Sequence, residues 1–595
     1  MTEMAPAAVT ATPPLPTTDA GGNMDDVQAA AHESGAPGRD ARAVDAHADA
    51  SAADERTSDA LSRADAADAP RLLQDTMDPA EYARIERRVR LKIDVQIVPL
   101  CLLLYFLSFL DRTNIGQARL SGLAEQLHLT DHDYNIALTV LYPPYIALEV
   151  PANLLLKRVG PRLWIPGLVV AWGIVSTLQG IVKTRNGLLI NRAFLGAAEA
   201  GILPGIAVYL TFFYKPRELQ LRQAVFFTGA SLSGAFSGLL AAAISKMDGM
   251  RGLAGWSWIF ILEGVFTIVV GLVCLVLLPN NIEKCWWLSP LERRIATERL
   301  HADSNRYRPR AVLHEGAGDT GAAERAASER KEAVVDTDLE QDASSDTMRA
   351  HDGKPVRLWL RDTLRTFCDT HLLLLCAIGF CCATPVYSIS YFSPTIVKSM
   401  HDYSNVRAQL MSCPPFAVAF VYGVAMAFVS DLLQLRVVTA LPGMVLSVVG
   451  FAMTYASANP NVRYGGVFVL TAGAFSLPPV LFAWIANNTA GYYKRATGLA
   501  LLIVFTNCGG LASTWLFNTS EGPLFKRGLV TNMALSALGA LLVIALDLLI
   551  FRERRLRAQG VRDHRVHGLR KDMNWSHGAI RTFLGDGHPE YHLEM

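Results

Sequence analysis

Long apolar runs separated by short polar stretches occupy most of the chain between residues 95 and 551. A helix that crosses a bilayer needs about 20 consecutive, mostly apolar residues, and twelve runs approach that length. The pattern therefore predicts an all-α membrane protein with twelve transmembrane helices. The predicted segments are 95–115, 134–156, 162–183, 187–213, 223–246, 256–279, 371–396, 406–430, 436–457, 463–489, 496–517 and 528–551.

Polar stretches divide these segments into two sets of six. The first 70 residues contain no Phe, Trp, Tyr or Ile, and such a composition cannot bury enough apolar surface to fold. The stretch 302–350 is polar and low in aromatic residues, so we predict that it is disordered as well. The predicted organisation is a disordered tail 1–80, a first half 81–280, a largely disordered central loop 281–370, a second half 371–551 and a tail 552–595.

Basic residues next to the membrane segments predict the orientation, because Lys and Arg are enriched on the cytoplasmic side. They cluster before the first segment, at both ends of the central loop and after the twelfth segment. An even number of helices places all three regions on one side, which we expect to be cytoplasmic, with both termini, in the plasma membrane. The clusters comprise Arg84, Arg87, Arg88, Arg90, Lys92, Lys284, Arg293, Arg294, Arg299, Arg357, Arg361, Arg365, Arg552, Arg554, Arg555 and Arg557.

Composition narrows the function classes. Residues are 51% hydrophobic and only 18% charged, which argues against a soluble enzyme, and the net charge of +1 argues against a nucleic-acid partner. The 9 cysteines form no C-x-x-C pair, so no zinc site is expected. Without a Walker motif, the energy source is not ATP. We expect no cofactor and no metal.

Charged residues within apolar segments are costly and usually mark a transport pathway. Arg192 and Glu199 lie two helical turns apart on one face, about 10 Å along the axis, which is too far for a direct bond in most rotamers. Glu199 is a candidate proton carrier, because burial and a nearby Arg move a carboxylate pKa in opposite directions. The alternative is an Arg–Glu network that ties helices together, and for Arg192 the two interpretations weigh about equally.

Asp111 and Arg112 are adjacent in the first segment, so their side chains diverge by about 100°. A guanidinium binds both oxygens of a carboxylate through its planar fork, which makes Arg112 the candidate reader of an anionic substrate. Alternatively, the pair marks an ordinary helix end at the membrane surface.

Other polar residues have less certain roles. Glu149 is a gate or a tie between helices, and Glu263 favours a structural pairing. Asn487 and Asn488 are candidates to form hydrogen bonds with a polar group of the substrate. The alternative is that they form hydrogen bonds with other helices. Tyr142 stacks on a planar substrate or simply lines the bundle, like three other aromatic candidates, Tyr145, Tyr387 and Trp484.

Several local motifs carry a family resemblance. In the first half they are LDRTNIG at 110–116, YNIAL at 134–138, NLLLKRVGP at 153–161, RAFLGAAEAG at 192–201 and GWSWIFILEG at 255–264, and in the second half WIANNTAGYYKRA at 484–496. Together they resemble the anion:cation symporter family of the major facilitator superfamily, specifically its fungal allantoate and nicotinate permease branch.

The resemblance implies a fold of two six-helix halves that rock around a central site, in a monomer. At matching positions it implies anion binding by Arg112 and proton coupling by Asp111 and Glu199. The superfamily's loop motif departs here, because Lys157 stands where Asp is usual, followed by Arg158. These two residues and Asp431 in the corresponding loop of the second half are candidates for gating or for tying helices.

The expected function is proton-driven uptake of a small organic anion across the lipid bilayer. The resemblance leaves nicotinate, allantoate, ureidosuccinate, pantothenate, biotin and small peptides open as substrates. Three alternatives also stay open. A proton-driven exporter of drugs or metabolites needs no cavity arginine, a membrane-embedded enzyme needs a nucleophile or a metal, and a non-transporting nutrient receptor tolerates loss of Glu199.

Overall fold

The computed structural model describes residues 77–302, 347–349, 355–401, 403–433, 435–489, 492–518, 521–564 and 593. All of them belong to one compact unit that begins at Leu73. Most of the predicted tail 1–80 and of the stretch 302–350 lies outside the described residues.

Helices make up the first half. Its elements are α1 (Pro79–Leu120), α2 (Leu123–Gln126), α3 (Asp131–Thr139), α4 (Tyr142–Val159), α5 (Pro161–Gln179), α6 (Arg185–Glu199), α7 (Ile202–Thr211), α8 (Pro216–Ile244) and α9 (Gly255–Leu277), with short 3₁₀ turns at Ser245–Met247, Met250–Gly252 and Ile282–Lys284.

The central loop and the second half follow. They contain α10 (Pro290–Ala302), β1 (Thr347–Arg349), β2 (Pro355–Arg357), α11 (Leu358–Cys368), α12 (Thr370–Met400), α13 (Asn405–Leu433), α14 (Val437–Ala456), α15 (Pro460–Phe475), α16 (Pro478–Asn488), α17 (Tyr492–Ser513) and α18 (Lys526–Ala558). The strands form a short antiparallel pair in which Met348 lies opposite Val356.

The described residues contain twelve spans. Among the described residues, 11 helices are long and apolar enough to cross a membrane. The second predicted segment supplies the remaining span as α3 and α4, which the Pro143-Pro144 pair separates at Val140 and Leu141. Neither α3 nor α4 is long and apolar enough to cross a membrane alone, because α3 is short and α4 carries the charged residues Glu149, Lys157 and Arg158. The predicted all-α, twelve-helix fold is confirmed.

Two spans are interrupted at corresponding places in the two halves. The fourth span breaks between α6 and α7, around Gly201, and the tenth breaks between α15 and α16, just before Pro478. In contrast, α13 stays continuous through Pro414 and Pro415, the counterparts of the pair in the second span. Discontinuous helices at matching points of two halves are typical of transporters, whose substrate sites lie near such breaks.

Helices form the two ends of the central loop 281–370. On the first-half side, α10 is held to α1 because the Lys92 ammonium lies 2.7 Å from the Glu292 carboxylate. Burial would raise the pKa of Glu292, but hydrogen bonds from Lys92 and Ser289 outweigh it and lower that pKa. On the other side, α11 leads directly into α12.

Short connections set the antiparallel packing of neighbouring spans. Gly160 has a φ of +88° between α4 and α5, a conformation that favours glycine, and Pro161 then occupies the first turn of α5. Alternation of direction places the start of α1 and the end of α18 on the same side, which we name the tail side. The other side is named the distal side.

The main contacts between the two halves follow four pairs of spans. These are α1 against α12, α4 against α17, and α8 against α13 and α16. Gly510 of α17 allows the closest approach on the second pair, because a Cβ there would collide with the Tyr142 hydroxyl. The central site described below lies between these pairs.

Candidate functional site

Arg112 lies at the centre of the bundle, and its guanidinium contacts both halves. Its Nη2 atom lies 3.0 Å from Oε1 of Glu199 on α6. Its Nη1 atom donates a hydrogen bond of 2.7 Å to the Tyr387 hydroxyl of α12. Arg112 is 3% exposed, so the helix-end interpretation of this residue is wrong. One side chain thus joins an acid of the first half to a phenol of the second.

Aromatic rings surround this guanidinium. Its central carbon lies 5.9 Å from the centroid of the Phe109 ring, 5.2 Å from that of Tyr145 and 5.5 Å from that of Tyr387. Nearby, the hydroxyls of Tyr142 and Tyr391 are 2.7 Å apart across the two halves. Ring faces attract a cation, so this box holds Arg112 in place while leaving its charge available to an anion.

Glu199 is the last residue of α6 and therefore lies directly at the break in the fourth span. The Ser108 hydroxyl donates a hydrogen bond to its Oε1 atom, whereas Oε2 has no hydrogen-bond partner. Glu199 is 1% exposed. Its ion-pair partner is Arg112 on α1 rather than Arg192 on its own helix.

Asp111 points away from Arg112 into a second cluster within the first half. The Trp172 indole donates a hydrogen bond of 2.7 Å to its Oδ2 atom, and the Arg192 guanidinium attracts it electrostatically without forming an ion pair. Arg192 also lies over the Phe260 ring at 5.8 Å, and its Nε and Nη2 atoms have no hydrogen-bond partner. Arg192 therefore belongs to a site beside the central one.

Glu263 of α9 extends this second cluster. The Asn114 amide donates a hydrogen bond to its Oε2 atom, which fits the predicted structural pairing. Asp111 and Glu263 also influence each other electrostatically. The first half thus buries two neighbouring charge groups, one around Arg112 and one around Arg192.

Glu149 on α4 is completely buried. Its carboxyl group interacts with the side-chain amide of Asn507 on α17 and electrostatically with Arg112. It therefore lies between the two halves at the level of the central site.

The remaining predicted residues lie towards the tail side. Asn487 and Asn488 are buried at the end of α16. Arg158 is exposed at the end of α4. The side chains of Lys157 and Asp431 lie outside the described part of the structure.

Contacts between the two halves lie on both sides of the central site. On the distal side, Asn135 donates to Asn518 at 3.0 Å, the hydroxyls of Thr139 and Thr514 are 2.8 Å apart, and Gln409 donates to Ser121 at 3.0 Å. Towards the tail side, the Phe227 ring of α8 packs against Phe482 of α16, with centroids 4.5 Å apart. Arg112 and Glu199 lie almost fully buried between these contacts.

Sequence reasoning did not identify several partners. These are Ser108, Asn114, Trp172, Tyr391 and Asn507. Ser108 precedes Arg112 by about one helical turn, and Tyr391 follows Tyr387 by the same interval, so helical periodicity alone marks them as neighbours. Trp172, Asn114 and Asn507 carry no such signal, because their roles depend on which helices pack together.

Comparison with known proteins agrees with this architecture. The family model described as Major Facilitator Superfamily matches residues 101–514. The MFS transporter prlL of Fungal sp. (strain NRRL 50135) is 32% identical over 475 residues, which cover 78% of this chain and 85% of that protein. The high-affinity nicotinic acid transporter of Saccharomyces cerevisiae is 28% identical over 475 residues, covering 80% of each chain.

A solved structure shares the fold. A bacterial homologue of the human lysosomal transporter Spinster, in an inward-facing and occupied conformation, has a TM-score of 0.50 at 14% identity, covering 76% of this chain and 96% of that one. Because the family model spans most of the membrane helices, this chain is an integral membrane transporter rather than an enzyme, and it belongs to the Major Facilitator Superfamily.

Proposed function

We propose that the protein takes up a small organic anion together with protons, by alternating access of the central site to the two sides of the membrane. The observation that carries the proposal is the buried contact between Arg112 and Glu199, 3.0 Å apart at the break of the fourth span.

The ion pair supplies a mechanism of exchange. While Glu199 is ionised, it neutralises Arg112 and competes with any other carboxylate. Protonation of Glu199 removes its charge, so the guanidinium is free to bind the carboxylate of a substrate. Proton and anion therefore enter the site together, and loss of the proton favours release of the anion.

Contact with both halves explains how binding is linked to movement. Arg112 belongs to the first half, but its Nη1 atom bonds to Tyr387 of the second. A substrate held by Arg112 therefore acts at the boundary between the two bodies that move, as in other transporters built from two repeats. The basic clusters support a cytoplasmic position of the tail side, and the plasma membrane is the expected location.

One relative is named as a nicotinic acid transporter, and nicotinic acid is a carboxylic acid. This supports a carboxylate as the substrate class. A drug exporter for apolar or cationic compounds gains nothing from a buried guanidinium at the centre, which weighs against that alternative.

Uptake of a panel of labelled carboxylates into cells or sealed vesicles tests the proposal. We expect accumulation of at least one acid above its equilibrium level, and we expect a protonophore to abolish it. Accumulation that a protonophore leaves unchanged would contradict proton coupling, and outward transport alone would contradict uptake.

A further inference from the structure

The start of α1 carries five basic residues on the tail side, and they divide into two sets. Two of them form ion pairs with neighbouring helices. The Arg90 guanidinium lies 3.3 Å from the Glu218 carboxylate of α8. The Lys92 ammonium lies 2.7 Å from the Glu292 carboxylate of α10. The side chains of the other three are exposed and form no ion pair or hydrogen bond with any described residue. We name these three the arginine stripe: Arg84, Arg87 and Arg88.

The arginine stripe continues the lipid-facing side of α1. At about 100° per residue, the three arginines lie within about 100° of one another around the helix axis. Leu91 and Val95 fall in the same sector. Leu91 is 57% exposed and Val95 is 74% exposed, as expected for apolar residues that face lipid. The stripe therefore faces outwards from the bundle, towards the bilayer.

The acidic residues beside the stripe are turned away from it. The Glu86 carboxylate lies 3.1 Å from the Lys215 ammonium at the start of α8. The Asp94 carboxylate lies 2.7 Å from the Arg222 guanidinium of the same helix. No other acid occurs between residues 82 and 95. Because these pairs attach one face of α1 to the bundle, the charges on the opposite face are available to a partner outside it.

Position along α1 places the stripe at the outer edge of the headgroup layer. The apolar run of the first span begins at Val95. At about 1.5 Å per residue, Arg88 lies about 10 Å and Arg84 about 16 Å before Val95. The headgroup layer is about 5–8 Å thick on each side of the hydrocarbon core, so only a headgroup that projects beyond it meets all three guanidinium groups. Asp78 and Glu81 lie still farther from the membrane, so a lipid meets the cations first.

Guanidinium groups favour phosphate among the charged groups of lipids. One guanidinium binds a phosphate through two parallel N–H bonds. A phosphate monoester carries a charge of about −1.5 to −2 at pH 7 and has three acceptor oxygens, whereas a carboxylate carries a single charge. Three guanidinium groups along about 6 Å of helix axis therefore match a headgroup with phosphate monoesters better than one with a carboxylate.

We propose that the arginine stripe binds phospholipids of the tail-side leaflet whose projecting headgroups carry phosphate monoesters, as phosphorylated inositol lipids do. Because α1 is one continuous helix from Pro79 to Leu120, such a lipid is attached to the same helix that carries Arg112. The inference concerns the outer face of α1 and does not rest on the proposed function of the central site.

Native mass spectrometry of the purified full-length protein tests the inference, because it resolves single bound lipid molecules. Phosphatidylinositol 4-phosphate, phosphatidylserine and phosphatidylcholine are titrated separately in the same detergent. We expect the first to bind at least about tenfold more tightly than the other two, since each basic residue near an anionic headgroup contributes about fivefold. Soluble inositol 1,4-bisphosphate at the same concentration should displace little of this lipid, because it lacks the acyl chains that pack beside Leu91 and Val95.

Two double variants locate the binding. Arg87→Gln with Arg88→Gln should weaken binding of phosphatidylinositol 4-phosphate by at least about tenfold. Both positions are exposed, so the fold is retained. Arg90→Gln with Lys92→Gln is the matched control, because it removes two charges from the same turns that are already paired with other helices. The control should change the affinity by less than about threefold, and thermal unfolding checks the fold of each variant.

Each result decides the inference. Equal affinity of the parent for phosphatidylinositol 4-phosphate and phosphatidylserine would overturn the preference for phosphate monoesters. Undiminished binding by Arg87→Gln with Arg88→Gln would overturn the arginine stripe as the site, and displacement by the soluble headgroup would exclude a lipid as the occupant. Deletion of residues 1–75, which are rich in Asp, should leave the affinity unchanged. A gain of about tenfold or more would show that this acidic segment occupies the stripe instead.

Discussion

The guanidinium of Arg112 lies 3.0 Å from the carboxylate of Glu199, and the two residues belong to different helices of the same half. Ser108 donates to the same carboxylate oxygen that faces Arg112. Under the proposed function, Glu199 thus occupies the place that the carboxylate of a substrate would take. The first two predictions distinguish the role of Glu199 in proton coupling from the role of Arg112 in anion binding.

Glu199→Gln should abolish proton-driven accumulation while preserving substrate binding and exchange across the membrane. Glutamine resembles the protonated acid but carries no exchangeable charge, so Arg112 stays available to the anion. The measurement compares uptake against a gradient with counterflow in preloaded vesicles.

Ser108→Ala is the control for this variant, because it removes a hydrogen bond to Glu199 and leaves the titrating group intact. It should retain accumulation. If Glu199→Gln concentrates substrate as the parent does, coupling lies elsewhere and Asp111 becomes the next candidate.

Arg112→Lys should weaken the apparent affinity for the transported carboxylate by about 10- to 150-fold. Lysine keeps the charge but loses the planar fork, and a charge-assisted hydrogen bond contributes about 1.5–3 kcal/mol. Tyr387→Phe removes only the acceptor of the Nη1 hydrogen bond of Arg112. It should weaken the apparent affinity for the carboxylate by about 2- to 10-fold. An Arg112→Lys protein with the affinity of the parent would move anion recognition to Arg192 or to the tenth span.

Residues 1–92, 280–370 and 552–595 should all be protected from external protease in sealed, right-side-out vesicles. The basic clusters at their membrane borders predict a cytoplasmic position for all three. Cleavage is followed with tags in each region, and inverted vesicles provide the positive control. External cleavage within any one region would exclude this topology.

Asp369 should stabilise the start of α12 in a pH-dependent way. Burial would raise its pKa, but the Lys494 ammonium, 2.6 Å away, and hydrogen bonds from His371 and Leu372 outweigh burial and lower that pKa. A lowered folded-state pKa means that the contribution is complete above the unfolded pKa of about 3.9 and is lost as the pH falls through the folded value.

Two substitutions divide this contribution. Asp369→Asn keeps a side-chain acceptor for the helix cap but loses the ion pair, whereas Asp369→Ala loses both and should cost about 1 kcal/mol more. Thermal unfolding of the purified protein is compared at pH 7 and below pH 4. The deficit of Asp369→Asn relative to the parent should shrink in acid, and a deficit independent of pH would exclude the ion pair as its cause.

The sequence by itself determined the fold class, because the length and apolar character of a membrane span are local properties of the chain. It also identified Arg112, Glu199, Asp111 and Arg192 as exceptional, since charge in an apolar segment is costly wherever the helix packs. The geometry of one helix was sufficient to predict that Asp111 and Arg112 point in different directions.

Only the tertiary structure decided which of these groups meet. It paired Glu199 with Arg112, directed Asp111 to Trp172, and set Glu149 opposite Asn507 on the other half. It also showed the helices at both ends of the central loop, where Lys92 of α1 contacts Glu292 of α10. Such pairings depend on the packing of helices that are distant in sequence, and local patterns carry no information about that packing.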